Sequence, residues 1–361
     1  MKLPKLLFRV CLLSLLFITS CTDDKTIEKG SLVPARFDLP FNNANVQRGQ
    51  TIRISLEILA EDDIEKISIF TKDTSIYEGN VTDAQKIFEV NTRNWNIGTN
   101  QISLKVVTKN KGIKTENRII KIFPDVFPKE YTAEVVQEFP HNTSSYTQGL
   151  EFSDGELYEG TGGRADGTAG ESMLAKVNLK NGEILQKKML DHKYFGEGIT
   201  LLNNKIYQIT WQEHTCFVYD KNTFTELTQL TYTGEGWGLC NNGTQIIMSD
   251  GSERIYFRDP ENFTIQKTIE VYSNAGPIRG LNELEYINGK IYANVYTENY
   301  IVIIDPSTGI VTGRIDATTI TLDYRKTGEV LNGIAYNPLT KQLFITGKRW
   351  PSLLEIALIE E

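Results

Sequence analysis

Several things are scarce in this 361-residue chain. Cysteine is one: four residues are too few for a disulfide scaffold. Histidine is another. His141, His192 and His214 show no His-x-x-x-His or comparable ligand spacing, so a catalytic zinc site is not expected. Basic charge is in deficit, with 38 Lys and Arg against 46 Asp and Glu, a net charge of -8. Phosphate binding needs a basic face, which excludes nucleic acid as the main partner. Glycines at Gly160, Gly162, Gly163, Gly167 and Gly170 are not followed by Gly-Lys-Ser/Thr, which excludes a phosphate loop and leaves a flexible loop over a site. The apolar run Val10–Ile18 is too short for a stable membrane span. What is present is 40% hydrophobic residues, 16 Tyr, 16 Phe and many Thr and Ile, a globular composition suited to β-structure. The length suits two domains.

The N-terminus reads as an address. Lys2, Lys5 and Arg9 precede the apolar run, and small residues follow it, the order of a signal peptide over residues 1–20. Ile18-Thr19-Ser20-Cys21 resembles a bacterial lipobox, which implies lipidation at Cys21; secretion without a lipid is the plainer alternative. Loss of the signal leaves 35 basic against 46 acidic side chains, a balance of -11. Residues 21–31 are polar, with Asp23 and Asp24 beside the anchor, and read as a tether. The expected location is the bacterial cell envelope, held at the membrane by the anchor alone.

From Leu32 to Phe123 the hydrophobic period is two. Ile52, Ile54, Leu56 and Ile58 alternate with Arg53, Ser55 and Glu57, and Ile102, Leu104 and Val106 repeat the pattern. About seven such runs predict an immunoglobulin-like β-sandwich over 32–125, without a chemical constellation of its own. Pro124 and Pro128 mark a linker.

Beyond it, over 130–361, the chain repeats. Five leading strands begin around Gln148, Glu197, Trp237, Asn282 and Asn332, positions spaced 49, 40, 45 and 50 residues apart. Each is followed by a turn and a second strand, such as Ile206-Tyr207-Gln208 or Ile291-Tyr292-Ala293, and most by a third. Short strands at this spacing predict an all-β, five-bladed β-propeller. The last repeat is short, and Thr132 to Phe139 is expected to supply its missing outer strand, leaving no open edge.

Leading strands of a propeller line its channel, so Gln148, Glu197, Trp237, Asn282 and Asn332 form one ring. The ends of the second strands form another: Gly162, Trp211, Gly251, Tyr296 and Lys348. A repeat built for stability alone would place small or apolar residues there. Polar and unlike residues instead suggest a pocket with aromatic walls and a few placed polar groups; a channel filled around ordered water is the alternative. Glu197, flanked by Gly196 and Gly198 and near two indoles, is expected to have a raised pKa suited to a proton shuttle, opposed by Lys348.

Tyr146-Thr147-Gln148-Gly149-Leu150, Phe195-Gly196-Glu197-Gly198, Gln208-Ile209-Thr210-Trp211, Glu235-Gly236-Trp237-Gly238, Leu281-Asn282-Glu283-Leu284 and Thr346-Gly347-Lys348-Arg349-Trp350-Pro351 resemble the plant-type (papaya-like) glutaminyl-peptide cyclotransferases. The resemblance covers Tyr131 to Leu358. It implies a five-bladed propeller and an aminoacyltransferase that converts N-terminal glutamine of peptides to pyroglutamate, releasing ammonia. By position it makes Glu197 the acid/base and Lys348 the pocket lysine that polarises the carbonyl. It makes Gln148 and Asn282 holders of the substrate amide, and Trp211 and Trp237 the walls. A third family tryptophan is replaced here by Tyr296, which bears on substrate preference. Trp350 reads as structural. No cofactor is required, and the chain is expected to act as a monomer. The zinc-dependent cyclases of animals are unrelated.

Some readings stay open. Glu283 and Glu285 suit strand or blade contacts, with a structural cation site as the alternative. His141 is expected in a loop near the pocket mouth. Cys216 and Cys240 are either a disulfide or two buried thiols. Rival functions are a non-catalytic propeller that binds peptide ends and a lactonase-like hydrolase, the latter needing more channel carboxylates than the aligned rings contain.

Overall fold

A computed structural model describes residues 33–72, 74–110, 112–163 and 170–361. The expected signal, tether and Cys21 lie outside the described residues, as does 164–169 of the glycine-containing loop. The described chain is all-β, with two short helices, Val81–Ala84 and Thr318–Tyr324, and one 3-10 turn.

The first part holds two sheets. One runs Ala35–Leu39, Thr51–Ile58, Phe88–Asn91; the other Ala44–Gln47, Ile113–Phe123, Gly98–Thr108, Ile64–Thr71, Ser75–Gly79. Alternation buries one face of each, and Ile54, Ile67, Ile69, Ile102, Leu104 and Ile120 meet in a shared core. Tyr272 and Ile310, from the later part of the chain, join that core. Glu270 accepts hydrogen bonds there from Thr99 N (2.9 Å) and Thr99 Oγ1 (3.0 Å).

The later part is built of four-stranded antiparallel units. The first is Thr147–Ser153, Glu156–Thr161, Met173–Val177 and Ile184–Met189. The second is Gly196–Leu202, Lys205–Thr210, Thr215–Asp220 and Glu226–Thr231, and the third Leu239–Asn241, Ile246–Ser249, Arg254–Arg258 and Ile265–Glu270. Tyr272–Ser273 and Gly276–Pro277 form a two-stranded ribbon, and the remaining strands make one eight-stranded sheet. It starts with Leu281–Ile287 and ends with Leu331–Asn337, with Lys129–Pro140 in its middle. That strand pairs antiparallel with Ser352–Glu360 and parallel with Val311–Asp316. It therefore supplies the outer strand that the short last repeat lacks, and it also joins the last unit to the one before. The five leading strands are almost wholly buried and contact one another in chain order, the fifth returning to the first.

Turns set the hairpins. Asp154-Gly155, Asn203-Asn204 and Asn288-Gly289 all have positive φ, the backbone that a two-residue antiparallel connection needs. The leading strands share a second device. The register breaks between Thr147 and Gly149, Gly196 and Ile199, Leu281 and Leu284, and Leu331 and Ile334. Such a bulge re-aims one side chain out of the pleat. The residues re-aimed include Gln148, Glu197, Asn282 and Asn332. The Trp237 unit differs: its strand starts at Leu239, and Trp237 is held just ahead of it by Trp237 N to Ser249 O, 3.1 Å.

Candidate active site

The bulges bring the ring residues to one end of the channel. Gln148, Glu197, Trp211, Trp237, Asn282, Tyr296 and Lys348 line one cavity of about 320 Å³. Asn332 does not line it. It lies behind Gln148, and its Nδ2 donates to Thr147 O (2.9 Å) and Gln148 Oε1 (3.3 Å).

A polar chain crosses the floor. Lys348 Nζ donates to Gln148 Oε1, and Gln148 Nε2 donates to Glu197 Oε1 at 2.9 Å. Two donors on one side and a carboxylate on the other fix which way the Gln148 amide faces. Asn282 Oδ1 is buried without a hydrogen-bond partner among the described residues, an acceptor in the pocket wall.

The charges are perturbed by this setting. Glu197 is buried, and burial pushes its carboxyl well above the ordinary carboxylate range. Lys348 opposes the rise, and the carboxylates of Glu213 and Glu235 add to it. Burial brings the Lys348 ammonium down to about 8, while Glu197 and Glu329 hold it up against that. The carboxyl is raised and the ammonium lowered, so burial brings the two pKa values toward each other, which suits proton transfer.

The walls are aromatic. Trp237 meets Tyr296 edge-on at 5.5 Å, and Trp211 meets Phe195 at 5.9 Å. Lys348 Nζ lies 4.5 Å from the Tyr146 ring centre and 5.8 Å from that of Tyr296. Tyr296 stands at the mouth, 40% exposed.

Tyr146, Phe195 and Glu329 complete the lining and are missed by the ring argument. Tyr146 and Phe195 had a signal: each sits two residues before a ring position. Glu329 had none, because it comes from an irregular loop ahead of the fifth leading strand. It bonds the Tyr146 hydroxyl, whose pKa is pushed to about 12, by burial first. Trp350 is wholly buried, and its Nε1 donates to Glu329 O at 2.9 Å, so it carries that loop.

His141 is not at the mouth. It is buried, with Nε2 3.0 Å from Glu159 Oε1 and Nδ1 2.8 Å from Trp350 O. Glu159 also accepts from Ser145 Oγ (3.0 Å) and Thr147 Oγ1 (2.7 Å). A carboxylate this deep needs such partners, and they recruit the histidine inward. Burial alone would lower the His141 pKa, but Glu159 outweighs it and holds it above the ordinary value.

Glu283 takes up the blade-contact reading. Its oxygens accept from Leu150 N (3.3 Å) and Ile334 N (2.8 Å), in two other leading strands. Glu285 accepts from Tyr336 N at 2.8 Å. Among the described residues no cluster of three or more His, Cys, Asp or Glu is placed to hold a metal ion. Cys216 and Cys240 are both buried free thiols.

A model of the glutamine cyclotransferase family matches residues 103–358. The chain belongs to that family. A glutaminyl-peptide cyclotransferase of Arabidopsis thaliana is 37% identical over 231 residues, 62% of this chain and 71% of the plant protein. The crystal structure of the Myxococcus xanthus glutaminyl cyclase is 34% identical, with a TM-score of 0.61. It matches 65% of this chain and 99% of its own length. The family match starts inside the strand Gly98–Thr108, earlier than the Tyr131 from which the motifs resemble the family.

Proposed function

We propose that this family member cyclises the N-terminal glutamine of peptides to pyroglutamate with release of ammonia, in the cavity around Glu197. The observation that carries the reading is the chain Lys348–Gln148–Glu197 on the floor of an aromatic-walled pocket.

The chemistry follows from those groups. The substrate α-amine attacks the side-chain carboxamide carbon, and its nitrogen must lose a proton. The departing nitrogen must gain one before the C–N bond breaks. Glu197 takes the first proton as carboxylate and returns it as acid. Its pKa, raised by burial first, makes it a stronger base when ionised and favours the acid form more than in an ordinary carboxyl. Such transfer contributes roughly 10²–10⁴-fold. Lys348 faces the developing oxyanion, and Asn282 offers its free acceptor to the substrate's N–H groups. Trp211, Trp237 and Tyr296 hold the glutamine stem so that its amine lies against its own amide, an orientation effect. Asn332 supports Gln148 from behind. Proton transfer through Glu197 calls for no cofactor.

The surrounding scaffold is read as a five-bladed propeller over 130–361, supported by the ring of five leading strands, after an immunoglobulin-like sandwich over 32–125. We assign residues 1–20 as signal, Cys21 as the lipid site and 21–31 as tether, which places the protein in the bacterial cell envelope. Its partners are peptides or proteins with N-terminal glutamine. We read it as acting as a monomer. A lactonase-type hydrolase is disfavoured because Glu283 and Glu285 are committed to backbone N–H groups.

The test is ammonia release from a glutamine-initiated peptide, repeated in chelator. Release that persists in chelator supports the reading. A folded protein that frees no ammonia rejects cyclisation, and release abolished by chelator rejects the cofactor-free mechanism.

A further inference from the structure

Glu235 stands out because it lies beside the pocket without lining it. It occupies the position two residues before Trp237, where the first two repeats carry Tyr146 and Phe195. Its Oε2 accepts from Trp211 Nε1 at 2.9 Å and from Trp237 Nε1 at 3.0 Å. Its Oε1 accepts from Gln212 Nε2 at 2.9 Å. The two indoles belong to different units, one following the second strand of the second sheet and the other opening the third.

Resting on the cyclase reading, we propose that Glu235 is a positioning residue: its carboxylate clamps both tryptophan walls at the geometry that grips the substrate glutamine. An indole N–H can only donate, so each needs an acceptor. Both residues are half-buried and line the cavity, and the acceptor holds each ring by its Nε1 edge. A carboxylate oxygen has lone pairs for two donors, and bonds to a charged acceptor are the stronger kind. Gln212 fixes the carboxylate plane. With both oxygens engaged, Glu235 is a clamp and not a second base.

The backbone delivers it there. Gly236 N donates to Trp211 O at 2.9 Å, and a Cβ on Gly236 would fall 2.7 Å from Thr210 O. Only glycine lets the Glu235–Trp237 segment lie this close to the neighbouring unit. His214, nearby, has Nδ1 2.8 Å from Gly234 O and steadies the same turn.

The test uses the mature chain with Glu235→Gln and Glu235→Ala. Indole N–H resonances are recorded alongside kinetics on a glutamine-initiated peptide. There are four tryptophans, and Trp95 and Trp350 serve as internal controls of folding. In both variants the Trp211 and Trp237 resonances are expected to move upfield while the controls stay. Glu235→Ala should raise KM at least about tenfold, the equivalent of one charge-assisted hydrogen bond, with a smaller change in kcat. Glu235→Gln, which keeps one carbonyl acceptor, should fall between. If one or neither resonance moves, the clamp is wrong. If both move and KM is unchanged, its role in substrate binding is wrong. If both move and wild type frees no ammonia, the clamp stands and the cyclase reading falls.

Discussion

At Glu197 opposing effects meet on one carboxyl. Burial raises its pKa, two neighbouring carboxylates raise it further, and Lys348 pulls it back. If Glu197 must ionise to start the reaction, activity climbs as pH rises through its pKa. Lys348→Met removes the opposing cation, so the acid-side limb of kcat/KM should move to higher pH. A pH–rate series on wild type and variant reads this; an unmoved limb would detach Lys348 from Glu197. Tyr296 offers a second residue-scale outcome. It touches Trp237 and approaches Lys348 at the mouth. Tyr296→Trp enlarges this wall. It should shift relative kcat/KM among glutamine peptides with small and large second residues by about 10-fold, with less change in kcat. Equal ratios would place the second residue elsewhere.

Among the elements, the leading strands carry the argument. Their period and turns were legible, because the units pair polar starts, most of them with glycine, with Asn or Gly at a tight turn. The closing strand was legible from the short last repeat. The bulges were not, since local sequence does not reveal where register slips. Yet they carry Gln148, Glu197 and Asn282 to the cavity, whereas Asn332, at the same kind of break, is held behind Gln148 by its bonds to Thr147 O and Gln148 Oε1. The Trp237 unit starts late for the same reason: Gly236 and Gly238 press against neighbouring backbone and leave no room for a regular first pair. Glu329 was invisible because an irregular loop, carried by Trp350, delivers it. His141 was misplaced because nothing local marks Glu159 as a buried acid in need of partners. The close approach at the bulge gives a prediction. A Cβ on Gly198 would sit 2.7 Å from Gly238 C. Gly198→Ala should cost about 1–3 kcal/mol through overpacking, and shift Glu197 enough to depress kcat. Urea unfolding and turnover on the same samples check both; an unchanged midpoint would mean the contact yields freely.

Over the whole molecule, buried carboxylates stitch the units together and make stability depend on pH. Glu151 is buried, its Oε1 accepting from Leu201 N at 3.1 Å and its Oε2 unpartnered among the described residues. Burial raises its pKa to about 7 from an ordinary 4.5. The folded state then holds a proton that the unfolded chain releases. Its contribution is complete below about pH 4.5 and is lost as pH rises through 7. Glu151→Gln carries no such proton. Relative to wild type it should gain about 3 kcal/mol between pH 4 and pH 8, read from denaturation midpoints at both pH values. A constant difference would show that Glu151 stays charged when folded. The same interior keeps Cys216 and Cys240 as separate thiols, each raised by burial first. On the proposed reading, this scaffold holds the Glu197 carboxyl against the substrate glutamine. The most direct test is therefore ammonia release from a glutamine-initiated peptide by wild type and Glu197→Gln, matched for folding. The account predicts steady release by wild type and a loss of about 10²–10⁴-fold in kcat in the variant; equal rates in the two would contradict it.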